Sequence, residues 1–71
     1  MFVVLEIQKL SESQVAIPTP IFTSSDWFEA ESKFHYLCSI AAVSTVPVHI
    51  VMLIDCKGII NDMKVYEHDG L

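Results

Sequence analysis

Between Phe34 and Ile54 the chain carries no Asp, Glu, Lys or Arg, a run of 21 residues. A run of about 20 apolar residues can cross a bilayer as one helix. This stretch therefore separates two very different kinds of protein. Ser44-Thr45-Val46-Pro47 lies in its middle. The residue before a proline is pushed out of helical geometry, and a Ser/Thr/Pro cluster is a loop signal. Ala, Leu and Cys dominate before this break, and Val, Ile and Met follow it. His35, Ser39, Ser44, Thr45 and His49 dilute the run further. It reads as a buried helix followed by a buried strand, and no membrane span is expected.

The remaining elements follow from periodicity. Phe2 to Leu10 alternates, with Val3, Leu5 and Ile7 on one side and Val4, Glu6 and Gln8 on the other. That pattern predicts a strand over about 2–10. Ser11-Glu12-Ser13 is turn-like, and a second strand over about 14–22 completes a hairpin. Pro18 and Pro20 lack the N–H donor, which places this strand at a sheet edge. Asp26 with Glu29 resembles a capping box at the start of a helix over about 26–44. Trp27, Ala30, Phe34, Leu37, Cys38 and Ala41 recur at helical spacing as one core stripe. Tyr36, Ile40 and Val43 form a second apolar line beside it. Strands over about 46–55 and 59–68 flank an Asp55-Cys56-Lys57-Gly58 turn. Asp69 to Leu71 reads as a frayed end.

These elements give one α+β domain over 1–71 in ββαββ order. The expected fold is a four-stranded antiparallel sheet with one helix on one face. The proline-bearing second strand needs an edge. The strand after the helix is apolar on both sides and needs the centre. Spatial order 2-1-3-4 satisfies both.

One helix covers one face of such a sheet, and a chain of this size buries only about 60–65% of its unfolded surface. An uncovered apolar face is unusual for a monomer. A homo-oligomer, a dimer or larger, is therefore expected. If Val48, Ile50 and Ile54 meet the helix, the interface residues are Val4, Val51 and Leu53.

Composition limits function. Four Lys, no Arg and nine acidic residues give a net charge of −5. Phosphate neutralisation needs clustered basic residues, so no nucleic-acid partner is expected. Two glycines twelve positions apart cannot build a phosphate-cradling loop. Two cysteines do not make a disulfide scaffold, and the first residues lack the basic region of a secretory signal. The chain is accordingly expected in the cytoplasm.

Candidate sites are few. His35 and Cys38 are three apart on the helix and could share a metal, but no further ligand follows at compact spacing. Trp27, Phe28, His35 and Tyr36 could line a small-ligand pocket between subunits. No nucleophile, acid–base or cofactor constellation stands out, so neither an enzyme nor a cofactor is expected. The expected function is a small, non-enzymatic, self-associating structural or protein-interaction module. A ligand-binding oligomer or a His/Cys metal protein is the alternative, and an unidentified protein partner is compatible with the first reading.

Overall fold

A computed structural model describes residues 1–68, so the end expected to fray, Asp69 to Leu71, lies outside the described residues. The elements are β1 (Phe2–Lys9), β2 (Val15–Ala16), β3 (Phe22–Ser24), α1 (Trp27–Ala42), β4 (Val48–Ile54) and β5 (Ile60–Glu67). The five strands form one sheet of order β2-β1-β4-β5, with β3 also paired to β1. All pairings are antiparallel, and α1 is the crossover from β3 to β4. The α+β class and the edge–centre arrangement agree with the sequence reading.

The strand expected over 14–22 is two short strands. Val15 and Ala16 pair with Lys9 and Gln8, and Phe22, Thr23 and Ser24 pair with Val4, Val3 and Phe2. The intervening stretch leaves the β1 edge. It contains Pro18 and Pro20, whose missing donors cannot continue a ladder. The Thr19–Pro20 peptide is cis.

Asp26 caps α1, its Oδ1 accepting from the Phe28 N–H at 2.9 Å. The Asp26 N–H donates to Ser24 Oγ at 3.0 Å. In a capping box Glu29 would take that donor; here the serine does. At the other end the Val43 N–H donates to the Ile40 carbonyl and the Ser44 N–H to the Ala41 carbonyl. These i to i−3 bonds tighten the last turn and end the helix at Ala42, short of the expected 44.

The core lies between α1 and one sheet face. It contains Ala30, Phe34, Cys38 and Ala41 from the helix, and Val4, Val51 and Leu53 from the sheet. Phe2, Phe22, Trp27, Leu37 and Tyr66 close its margins. Phe2 and Trp27 meet edge to face, with centroids 5.3 Å apart. This reverses one expectation. Val4, Val51 and Leu53 are 1%, 0% and 1% exposed beneath the helix, so they are not interface residues.

The physical reason is aromatic closure on the chosen side. Phe2 and Tyr66 share the parity of Val4 and Val51, and Phe22 pairs with Val4. Alternation alone gives β4 two apolar faces and no preference. Ala30 and Ala41, both fully buried, let α1 approach the sheet closely.

Candidate functional site

Turning Val4, Val51 and Leu53 inward leaves the other parity outward. Residues opposite one another in antiparallel strands share a face, so the register defines the rows of the bare face. Ile7, Ile50 and Val65 form one row, and Leu5, Met52 and Met63 the next. Val3 and Ile54 follow, where a bulge between Leu53 and Ile54 shifts the β5 register. The opposite end is the row Lys9, Val48, Glu67, extended by Val15 beside Lys9. Met63 and Val65 are each 50% exposed. Lys9 and Glu67 are the only charged residues in these rows, and neither has an ion-pair partner among the described residues.

The covered face ends in a polar pair. His49 Nδ1 meets Glu6 Oε2, and the two side chains are 2% and 11% exposed. Among the described residues His49 Nε2 has no hydrogen-bond partner. The His68 ring lies edge to face with His49 at 6.1 Å, and His68 Nε2 lies 2.8 Å from the Ala41 carbonyl. Donation there would satisfy one of the orphan carbonyls of the helix end. Neither Glu6 nor His49 stood out from the sequence. Their signal is a pair of complementary ionisable types on adjacent strands, visible only once the register is known.

A half-open cleft of about 520 Å³ lies between α1, β1 and the proline segment. Leu5, Glu6, Pro18, Phe22, Lys33 and Leu37 are among its lining residues. The cleft exists because the proline stretch bows away from β1. The Lys33 ammonium sits 5.8 Å from the Phe22 ring centroid and 5.2 Å from that of Tyr36.

The residues expected to bind ligand do not converge. Trp27 is half-buried against Phe2, whereas Phe28, His35 and Tyr36 are exposed. None of the four lines the cleft. Phe28 is 76% exposed, so it closes no core. His35 and Cys38 also point apart, His35 to solvent and Cys38 into the core. Among the described residues no group of three or more His, Cys, Asp or Glu is placed to hold a metal. Burial pushes the Cys38 thiol above its usual pKa, with a smaller opposing hydrogen bond from Tyr66.

Tyr36 and Ile40 on the helix and Val43 at its C-cap form an exposed apolar line. Among the described residues no helix is long and apolar enough to cross a membrane. No protein-family model, curated protein or solved structure matches the chain.

Proposed function

We propose that the protein is a non-enzymatic self-association module whose working surface is the bare sheet face. The uncovered rows Ile7/Ile50/Val65 and Leu5/Met52/Met63 carry this reading. Three strands about 4.8 Å apart and seven residues long at about 3.3 Å each cover roughly 330 Å². Two such faces in contact remove about 650 Å² of largely apolar surface from water. At about 25 cal/mol per Å² that is roughly 16 kcal/mol gross. Association costs about 4–15 kcal/mol before any imperfect polar pairing. The balance favours a reversible complex. The reading includes a reducing compartment, the cytoplasm, in which the exposed Cys56 stays a thiol. Replacing Ile50 with Lys puts a charge in the centre of the face without entering the helix-side core. The expected result is a smaller species by light scattering with unchanged far-UV circular dichroism. An unchanged mass would count against the reading.

The cleft favours a second reading, a small-ligand binder. Its walls are mixed, with Ile21, Phe22 and Leu37 beside Thr19, Thr23 and Glu6, and the Lys33 ammonium at the edge suits a partly apolar molecule carrying an anionic group. A thermal-shift screen of aliphatic and aromatic carboxylates tests it. Stabilisation that Lys33→Ala abolishes supports this reading, and a flat screen removes it.

A further inference from the structure

We infer that the partner on the bare face is a second copy of this chain, stacked about a two-fold axis parallel to β4, with Lys9 of each copy opposite Glu67 of the other. This rests on the self-association reading and specifies its geometry.

The register carries the argument. Lys9 and Glu67 flank Val48 at the same height, one on β1 and one on β5. Each therefore stands about 4.8 Å to one side of β4. Rotation by 180° about an axis parallel to β4, between the two sheets, exchanges left with right and preserves height. Lys9 of one copy then faces Glu67 of the other, twice per dimer. The same rotation sets Ile7 against Val65, Leu5 against Met63, and Ile50 and Met52 against their own counterparts. Apolar rows meet apolar rows, and the charged row meets its complement. An axis across the strands would instead bring the charged row toward Val3 and Ile54, leaving both charges opposite apolar residues.

Distance and charge agree with this arrangement. Packed sheets lie about 10 Å apart with strand directions within about 30°. A lysine and a glutamate reaching from opposite sheets span that gap. The chain carries −5 overall, yet these rows hold one base and one acid. Stacking thus brings together the balanced part of an acidic surface. The charged row Lys9/Val48/Glu67 lies within that face and Val15 extends it slightly, so the pair buries roughly 700 Å², the size of a weak, reversible contact.

Mixing two self-repelling variants tests the stack. Lys9→Glu alone makes both cross-pairs acid against acid, and Glu67→Lys alone makes both base against base. Each should self-associate roughly tenfold more weakly than wild type at low salt, a difference that shrinks as salt screens it. An equimolar mixture places every acid opposite a base. By sedimentation equilibrium it should form a mixed dimer with about wild-type affinity. If wild type dimerises but the mixture associates no better than either variant, the two-fold stack is wrong and self-association stands. A wild-type chain that stays monomeric at all concentrations overturns both.

Discussion

His49 and Glu6 meet beneath the end of the helix, diagonal neighbours on β4 and β1. Both side chains are nearly closed to solvent, so each is the main polar partner of the other. Removing one partner strands the other in a low-dielectric site. Glu6→Leu and His49→Leu should each lower stability by about 1–3 kcal/mol. The double variant should lose less than the sum of the two, since an apolar replacement of both leaves no orphan. Urea denaturation of the four chains measures the coupling, and strict additivity would show that the contact contributes nothing.

Leu53 belongs to the packed side of β4, under Phe34 and its neighbours. Leu53→Ala should cost about 2–5 kcal/mol through lost burial and a residual cavity. Leu5→Ala, on the bare face, should cost less in the isolated chain and instead weaken association. Chemical unfolding at low concentration, where copies are apart, separates the two. Equal losses for both substitutions would mean the faces are assigned wrongly.

The β4–β5 turn is held by one carboxylate. Asp55 Oδ1 accepts from the Lys57 N–H at 2.8 Å and the Ile59 N–H at 3.0 Å. These bonds, the Ile59 one foremost, hold the Asp55 carboxyl below its usual pKa. Gly58 supplies the positive φ of +83° that the turn requires. A depressed pKa means the folded state favours the ionised form. The stabilisation is complete above the unfolded pKa and is lost as pH falls through the folded one. Asp55→Ala should therefore melt below wild type at pH 7, by a margin that narrows in acid, below about pH 4. A margin constant with pH would point to lost packing instead.

The two thiols should react at very different rates. Cys56 is exposed in the turn, whereas Cys38 is buried with its pKa raised chiefly by desolvation. One thiol per chain should label quickly with an aromatic disulfide reagent, and the second only on unfolding. Cys56→Ser should remove the fast phase. Two fast thiols in the wild type would contradict the buried position of Cys38.

Periodicity made the class legible, and the element order apart from the split of the second strand into β2 and β3. The helix-to-strand break at Ser44–Pro47 was a local fact of backbone chemistry, whereas Pro18 and Pro20 interrupt the expected edge strand and do not lie in one. The orientation of the sheet was not legible. Val4, Glu6 and Gln8 look like the wet side of β1, and Val3, Leu5 and Ile7 look like the core. The fold uses them the other way, since Glu6 meets His49, a partner 43 positions away, and the aromatics Phe2, Phe22 and Tyr66 close that side. Both facts depend on register, which a single strand's pattern does not contain. The expectation of an uncovered apolar face came from counting faces and needed no parity. The residues on that face did need it, which is why the reading assigns Val4, Val51 and Leu53 there although they lie beneath the helix. The cleft escaped sequence reading because it arises from the bowing of the proline segment.

Sedimentation velocity of the wild-type chain over a wide concentration range addresses the central claim, that the bare face is covered by association between copies. The account predicts a concentration-dependent shift from one chain of 8.0 kDa toward twice that mass, the behaviour of a small, reversible interface. The Ile50→Lys chain should sediment as the lighter species throughout. A wild-type chain that remains at the mass of one copy up to millimolar concentration would contradict it.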